Sequence, residues 1–129
     1  MESFRIHVAK DYLVFSAGHF ITYGGHLCEA LHGHNYRVVV HAEARELDRT
    51  SYVLDFALLK KAAVDLCARF DHLNLNDVEP FRAGEMNPTA EELARYLCEQ
   101  LGRKLDDGRV RISRVEVWET DNNRAEYAR

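Results

Sequence analysis

Two histidines and a cysteine lie within one short segment, CEALHGH, at residues 28–34. His32 and His34 are two positions apart, so in an extended strand both side chains leave the same face and can bind one metal ion. His19, at the end of a strand-like run that starts at Tyr12, is the candidate third ligand. Three histidines with one open coordination position are typical of catalytic zinc. Two ordinary strand histidines are the alternative, and the neighbouring residues favour the metal.

The thiol of Cys28 belongs to a polar stretch that reads as a loop, shortly before His32. A nearby cation there would favour the thiolate, which can act as a base. An incidental loop cysteine fits the spacing equally well. The chain has three cysteines, an odd number that makes no disulfide framework. Cys67 and Cys98 fall inside helical patterns and are interpreted as small buried hydrophobes.

Two further positions carry groups that can move protons or bind a polar ring. Asp71 and His72 are adjacent, and a carboxylate beside an imidazole raises its basicity and fixes its tautomer. A turn after a helix is the alternative for this segment. Glu119 ends a strand pattern, where a carboxylate is usually solvated. In a pocket it would accept two parallel hydrogen bonds from the N–C–N edge of a 2-amino-4-oxo-pyrimidine ring.

Length and charge limit the classes of function. The chain has 129 residues, of which 47% are hydrophobic and 29% charged, as in one ordinary globular domain. Its formal net charge of −4 disfavours a broad nucleic-acid surface. No apolar run reaches membrane-spanning length, and the first residues lack the apolar core of a signal peptide. We therefore expect a cytoplasmic protein with no nucleic-acid or membrane partner.

Hydrophobic periodicity predicts long strands at both ends of the chain. Residues 4–18 indicate a strand pair or one bulged strand, and residues 34–45 a second long strand. Residues 19–31 lose the periodicity and are interpreted as a loop that leaves the sheet and returns at the HGH segment. A further strand follows through residues 110–120, and the tail could add a short edge strand through Tyr127. Valines on both faces of the second strand predict an assembly that covers them.

Two amphipathic helices are predicted between these strands. Asp55 can cap a helix that runs to about Phe70, and Thr89 with Glu92 forms a capping box for the second. The apolar stripe of the first helix consists of Phe56, Leu59, Ala63, Leu66, Cys67 and Phe70. Both helices need one sheet to cover, so the fold class is α+β, an antiparallel sheet with two helices on one face.

Six motifs in this order resemble the 6-pyruvoyl-tetrahydropterin synthase / 6-carboxytetrahydropterin synthase family, and they extend over nearly the whole chain. They are Phe15-Ser16-Ala17-Gly18-His19, Cys28-x3-His32-Gly33-His34-Asn35-Tyr36, Leu54-Asp55-Phe56-x2-Leu59-Lys60, Asp71-His72-x2-Leu75-Asn76, Asn87-Pro88-Thr89-x-Glu91 and Trp118-Glu119-Thr120. No single motif is decisive. One departure is Gly18, where many relatives have alanine.

The resemblance implies a single pterin synthase-like domain over residues 1–129 with the tunnelling fold. In that fold two helices cover a four-stranded antiparallel sheet, three subunits close an oligomeric barrel, and two trimers stack. A homotrimer or homohexamer is therefore expected. The implied substrate is 7,8-dihydroneopterin triphosphate, which is converted with loss of triphosphate.

The resemblance also implies the roles of the site residues. His19, His32 and His34 would hold Zn²⁺, Cys28, Asp71 and His72 would handle protons, and Glu119 would anchor the pterin with Thr89 near it. Zinc with an open position would stabilise the enediolate formed when a carbon acid loses its proton. No nicotinamide or flavin is expected, because no glycine-rich dinucleotide motif is present.

The product stays open at the level of sequence. Cys-x3-HGH resembles the bacterial 6-carboxytetrahydropterin synthases of the queuosine pathway, whereas Glu-x2-HGH resembles members that cleave the side chain to 6-hydroxymethyl-dihydropterin for folate. This chain satisfies both patterns with Cys28 and Glu29. Adjacent residues of an extended segment point to opposite sides, so one of them faces the metal at a time. A solvated loop acid at Glu29 and a non-catalytic zinc-binding relative are the alternatives.

Overall fold

The computed structural model describes residues 1–9, 11 and 13–129. Tyr12, where the strand-like run toward His19 is predicted to begin, lies outside these residues. The strands are β1 (Phe4–Val8), β2 (Val14–Tyr23), β3 (His26–Ala44), β4 (Leu73–Asn74), β5 (Arg111–Trp118) and β6 (Arg124–Ala128). The helices are α1 (Phe56–Cys67) and α2 (Ala90–Leu105), with short 3₁₀ turns at Ala68–Phe70 and Leu75–Asp77. The predicted α+β class is confirmed.

The 19-residue strand β3 is the spine of the sheet. β2 pairs with its first half and β1 with its last five residues, so these two strands lie end to end along one side. β5 pairs with the other side and carries β6 on its outer edge. β4 is parallel to β2. The described sheet is therefore mixed and has six strands, and the predicted four-stranded antiparallel sheet is corrected on both points.

Both helices begin where the sequence predicts them. The Asp55 carboxylate accepts a hydrogen bond from the Ala57 N–H, and the Thr89 hydroxyl accepts one from the Glu92 N–H, which are the N-caps of α1 and α2. α1 ends at Cys67 and continues as the 3₁₀ turn. One predicted core position is wrong, because Phe56 in the first turn of α1 is 56% exposed.

The core lies between the helices and one face of the sheet. Along β3 the residues Tyr36, Val38 and Val40 are fully buried, and they alternate with residues of the other face. Val39 lies on that other face and is half-buried. The prediction that valines on both faces of this strand need cover therefore applies to Val39 alone among these three consecutive valines. The uncovered face also carries ion pairs such as His41–Glu116 at 2.6 Å.

The predicted loop at residues 19–31 is wrong. β2 continues to Tyr23 and β3 begins at His26, and the two strands are joined by a two-residue turn. Gly24 and Gly25 form this turn with φ of +57° and +80°, a conformation that glycine adopts without strain. Residues 23–31 are exposed, so no side of this hairpin has the apolar alternation from which a strand is predicted.

None of the helices within the described residues combines the length and the apolar character needed to cross a membrane.

Candidate metal centre

Three histidines converge where β2 and β3 pair. His19 on β2 is the cross-strand partner of His32 on β3, and His34 follows two residues later on the same face. Their ring centroids lie 4.7, 4.8 and 5.2 Å apart. One ring nitrogen of each lies within 4.8 Å of the other two, which makes this the group that could hold a metal ion among the described residues. We refer to these residues as the histidine triad.

Backbone carbonyls fix the orientation of two of the rings. The His19 Nδ1–H donates to the Pro88 carbonyl at 2.7 Å, and the His32 Nδ1–H donates to the Ala30 carbonyl at 2.7 Å. A carbonyl only accepts, so Nδ1 carries the proton in each neutral ring and Nε2 presents a lone pair. The two Nε2 atoms lie 3.1 Å apart. Two lone pairs repel at that distance unless a proton or a metal cation is shared between them.

His34 supplies a third nitrogen. Its Nε2 is buried and makes no hydrogen bond of regular geometry, although the Glu119 Oε2 lies 2.9 Å away. Burial lowers the pKa of this imidazole below its usual value, with the Glu119 carboxylate acting in the opposite direction. A proton can join two nitrogens, whereas a metal ion can accept lone pairs from all three. Three neutral imidazoles are the donor set that suits zinc with one position left open, so the residues fit this metal.

Other buried groups support His19. The Tyr36 hydroxyl lies 3.3 Å from His19 Nδ1, and its pKa is raised by burial and further by Glu119 and Glu29. His19 itself is 2% exposed. Pro88 precedes the Thr89 cap, so the start of α2 is tied to the triad through one carbonyl. Carbonyl partners of this kind orient metal-binding imidazoles. The Thr89 hydroxyl accepts the capping bond from the Glu92 N–H and still has its own proton to donate.

Two carboxylates flank the triad. Glu119, just after β5, has Oε2 2.9 Å from His34 Nε2 and 3.9 Å from His19 Nε2. Glu29 has Oε1 3.4 Å from His32 Nε2 and 3.9 Å from His19 Nε2. The Glu29 side chain is 53% exposed, so it lies beside the triad and in contact with solvent, and the solvated alternative stays open. Both acids lie close enough to the triad to exchange protons with a molecule bound there.

A β-bulge brings Glu29 to this face. His19 pairs with His32 and Ile21 pairs with Glu29, so the single residue Phe20 on β2 lies opposite two residues on β3. The extra residue shifts the alternation of side chains by one position. Glu29 consequently leaves the strand on the same side as His32.

Cys28 is not brought to the triad. It is exposed, and its Sγ lies 3.8 Å from the His26 carbonyl. Its neighbour Glu29 lies beside the histidines. That only one of these two residues faces the site at a time stays a prediction.

Asp71 and His72 are paired but lie away from the triad. The two side chains are 3.0 Å apart, and His72 is exposed with φ of +61°. The Ser16 N–H donates to the Asp71 carboxylate, which lowers its pKa, and His72 acts in the same direction. His72 lines a groove with Ser16 and Asn35, whose side chains bond each other at 2.6 Å.

Ser16 and Asn35 belong to the face opposite the triad, but Ala17 and His34 also line this groove, so it reaches one residue of the triad. Ser16 and Asn35 are cross-strand partners, and each alternates along its strand with a residue of the triad face, Ala17 on β2 and His34 on β3. Among the described residues, neither Asp71 nor His72 forms a hydrogen bond or ion pair with a residue of the triad.

Two asparagines that the sequence identifies only as motif residues, Asn76 and Asn87, hold β2 in place. The Asn76 side chain bonds both the N–H and the carbonyl of Phe20, at 2.9 and 3.0 Å. The Asn87 side chain does the same with Thr22, at 3.0 and 2.9 Å. Each amide thereby replaces a neighbouring strand at the edge of β2. Their presence in the family motifs was the available signal.

Comparison with known proteins gives consistent results. A sequence model of one family, described as 6-pyruvoyl tetrahydropterin synthase, matches residues 8–129. The chain is 36% identical over 93 residues to the dihydroneopterin monophosphate aldolase of Pyrococcus furiosus, covering 70% of this chain and 72% of that protein. It is 31% identical over 121 residues to the 6-carboxy-5,6,7,8-tetrahydropterin synthase of Aquifex aeolicus, covering 78% and 75%.

A solved structure extends the likeness to the fold. The 6-pyruvoyl tetrahydropterin synthase of Caenorhabditis elegans superimposes with a TM-score of 0.81 at 27% identity, covering 100% of this chain and 97% of that one. The resemblance stated from the motifs is confirmed. The chain is an enzyme of the tetrahydropterin synthase type, a lyase, and it belongs to the 6-pyruvoyl tetrahydropterin synthase family.

Proposed function

We propose that this chain is a zinc-dependent lyase that acts on the side chain of a 7,8-dihydroneopterin phosphate, with the triphosphate as the expected substrate. The assignment of a metal site rests on the convergence of three imidazole nitrogens. Backbone carbonyls direct the lone pairs of two of these nitrogens inward. The pterin follows from the family. One domain over residues 1–129 and a location in the cytosol stay predictions from the sequence.

His19, His32 and His34 would hold the zinc ion. The metal would act as a Lewis acid that polarises the hydroxyl groups or carbonyl of the substrate side chain. The Tyr36 hydroxyl and the Pro88 and Ala30 carbonyls would keep the imidazoles in their binding orientation.

Glu119 would bind the pterin ring. Its carboxylate lies beside the triad, so a ring held there places the substrate side chain over the three histidines. Both oxygens would accept hydrogen bonds from the N–C–N edge of the ring, as a charged acceptor with parallel geometry allows. Thr89, close to the triad through Pro88, would lie at the margin of the ring.

The geometry favours carbon–carbon cleavage as the reaction. Glu29 is the carboxylate nearest the triad that the pterin does not use. It would take the proton of a side-chain hydroxyl, the adjacent carbon–carbon bond would break, and its electron pair would pass to the pterin fragment, which is then protonated. The products are 6-hydroxymethyl-dihydropterin and a phosphorylated aldehyde. The relative from Pyrococcus furiosus, named an aldolase, supports this reaction.

Carbon–oxygen elimination is the second candidate. The motif Cys-x3-HGH and the synthase names of other relatives favour it. Here Cys28 would be the base, and loss of triphosphate would give the 6-pyruvoyl-tetrahydropterin. A 6-carboxy product would need one further step, in which water adds and the two terminal carbons of the side chain leave as acetaldehyde. In the single chain Cys28 is exposed and is not part of the cluster of metal-binding atoms at the triad, so this reaction needs a different arrangement of the hairpin.

Asp71 and His72 would act in an assembly. The pair makes no hydrogen bond or ion pair with the triad of its own chain among the described residues, and a proton relay from it would serve the site of a neighbouring copy. We propose a homotrimer or homohexamer with active sites near the subunit boundaries. The uncovered sheet face and the edge strand β6 are the surfaces that such an assembly would cover.

The metal assignment predicts that His32→Ala combined with His34→Ala abolishes zinc binding. Two of three ligands are lost, and a single imidazole does not retain the ion. Elemental analysis after loading with zinc should find one equivalent in the unmodified protein and none in the variant. His7→Ala, on the uncovered sheet face, is the control and should retain the metal. Full zinc content in the double variant would contradict the assignment.

Substrate recognition predicts that Glu119→Gln weakens pterin binding while zinc stays bound. An amide cannot accept two hydrogen bonds in parallel, and each buried donor left unpaired costs about 1–3 kcal/mol. Titration calorimetry with a dihydropterin should show a loss of affinity of roughly tenfold or more. Glu126→Gln on β6 is the control. Unchanged affinity of Glu119→Gln would place the ring elsewhere.

If Glu29 is the base for one reaction and Cys28 the base for the other, each variant should lose a different product. Glu29→Ala should remove 6-hydroxymethyl-dihydropterin, because the carboxylate nearest the triad is gone. Cys28→Ala should abolish any 6-carboxy- or 6-pyruvoyl product and leave the hydroxymethyl product. Chromatography after incubation with 7,8-dihydroneopterin triphosphate and monophosphate separates these outcomes.

Glu85→Ala is the control for removing an exposed acid in the product experiment. An unchanged product distribution in Glu29→Ala would make Glu29 a surface acid. If the zinc-loaded, unmodified protein forms neither product from either substrate, the chain is a non-catalytic zinc-binding relative.

The assembly predicts a mass well above that of one 14.9 kDa chain. A monomer would leave a sheet face and strand edges open to solvent, which natural proteins cover. Light scattering at micromolar concentration should find three or six copies. A monomeric mass would contradict the assembly and with it the role of Asp71 and His72.

A further inference from the structure

The hairpin formed by residues 20–31, here called the hairpin arm, extends beyond the core. Tyr23, Leu27 and Leu31 are 83%, 63% and 61% exposed, so apolar side chains of the arm are not buried by the rest of the described chain. A strand whose faces are both exposed has no buried set of side chains to fix its register. The arm carries both Cys28 and Glu29.

The pairing of the two strands changes along the arm. At its base His19 lies opposite His32, then Ile21 lies opposite Glu29, and at the tip Tyr23 lies opposite His26. Between the base and the tip, β3 uses two residues more than β2 does. Two register shifts absorb them, one on each side of the Ile21–Glu29 pair.

Without the two register shifts, a different residue of the hairpin arm would lie on the face of the histidine triad. If the register of His19 and His32 continued without bulges, Thr22 would lie opposite Glu29 and Tyr23 opposite Cys28. Side chains alternate strictly in a regular strand, so Cys28 would then share the face of His32, and Glu29 would point to the other side. The two extra residues would pass into the turn, which would become a four-residue loop.

The β3 side of the arm is the side that can slide. Asn76 and Asn87 hold β2 at Phe20 and Thr22 from its outer edge. On β3, pairing with β5 covers Arg37–Glu43 and pairing with β1 covers Val40–Ala44, so within the described residues β2 is the sheet partner of the arm segment 26–31.

Two features favour the register seen here. The Ala30 carbonyl, inside the bulge, accepts the hydrogen bond from His32 Nδ1. The tight turn at Gly24 and Gly25 has both φ values positive, as a two-residue hairpin turn of this type requires. Four-residue hairpin loops are also common, so the alternative has no backbone obstacle.

We propose that the hairpin arm has two registers that exchange the base at the histidine triad. The bulged register presents Glu29, and the regular register presents Cys28. This inference rests on the proposed function for its consequence, since the register would decide between carbon–carbon cleavage and carbon–oxygen elimination. The exchange of the two residues is itself independent of that function.

The turn glycines allow the registers to be separated by mutation. A Cβ at Gly24 or Gly25 would meet no atom within 4 Å, so substitutions there act through φ alone. Gly24→Asn produces an Asn-Gly turn, which favours two residues at positive φ and holds the bulged register. Valine at both positions (Gly24→Val, Gly25→Val) disfavours positive φ and shifts the balance toward the four-residue loop.

A disulfide trap measures the register without turnover. Tyr23→Cys introduces a thiol that lies opposite the native Cys28 only in the regular register. In a glutathione buffer, we expect the fraction of this disulfide to fall in the Gly24→Asn background. In the double-valine background we expect its rate of formation to rise about tenfold. Mass spectrometry of peptides quantifies the bond in an assembly of any size.

Thr22→Cys is the matched control, because in the regular register it lies opposite Glu29 instead of Cys28. A turn that is merely loosened would raise disulfide formation with Cys28 in both cysteine variants. Equal increases, or no difference between the two turn backgrounds, would overturn the two-register proposal.

The turn variants without the added cysteine test the consequence. Gly24→Asn should shift the products toward 6-hydroxymethyl-dihydropterin, and the double valine should shift them toward the carboxy or pyruvoyl product. If the disulfide trap responds and the product ratio does not, the registers exist and the proposed roles of Cys28 and Glu29 fail. If the trap does not respond, the two-register proposal fails whatever the products are.

Discussion

The approach of two imidazole nitrogens in the pairing of β2 and β3 is the constraint on which the site depends. His19 and His32 are cross-strand partners, and each has its Nδ1–H committed to a backbone carbonyl. Their Nε2 lone pairs therefore face each other at 3.1 Å, and neither ring can turn away without losing a buried or constrained hydrogen bond. Because backbone hydrogen bonds hold both rings in this orientation, the repulsion between the two lone pairs persists until a cation binds between them.

The same strand that holds the triad also makes the core, which explains why the site is rigid. Along β3, Tyr36, Val38 and Val40 continue the face of His32 and His34 into full burial under the helices. Moving the histidines would shift the register of the core residues and turn them toward solvent. The arm beyond His32 has no such anchor, because its side chains are exposed. The anchored part of β3 and its unanchored part therefore join at the bulge between Glu29 and His32.

Features with a local signal could be predicted from the sequence. The i,i+2 histidine pair and the helix caps at Asp55 and Thr89 depend on residues a few positions apart, and the structure has the caps where they were expected. The position of Glu29 could not be predicted, since it depends on a bulge whose extra residue has no pattern of its own.

The hairpin arm has no local signal in the sequence, because hydrophobic periodicity reports burial and this strand pair is exposed. The place of Asp71 and His72 beside β2 also has no such signal. It depends on the parallel pairing of the next two residues with β2, and the pairing of a two-residue strand cannot be predicted from its residue types.

Charge explains why acids surround a histidine site in a chain that is already negative. Three neutral imidazoles would leave both positive charges of a zinc ion uncompensated in a partly buried place. Glu29 and Glu119 lie 3.4 and 2.9 Å from ligand nitrogens and supply two negative charges without occupying the ligand set. Glu29 lies on β3 and Glu119 in the segment after β5, so one carboxylate can bind a ring edge while the other accepts a proton. A cysteine that replaced Glu29 at the triad would provide the same charge only as a thiolate, so the identity of the residue on this face also sets the charge that the metal meets.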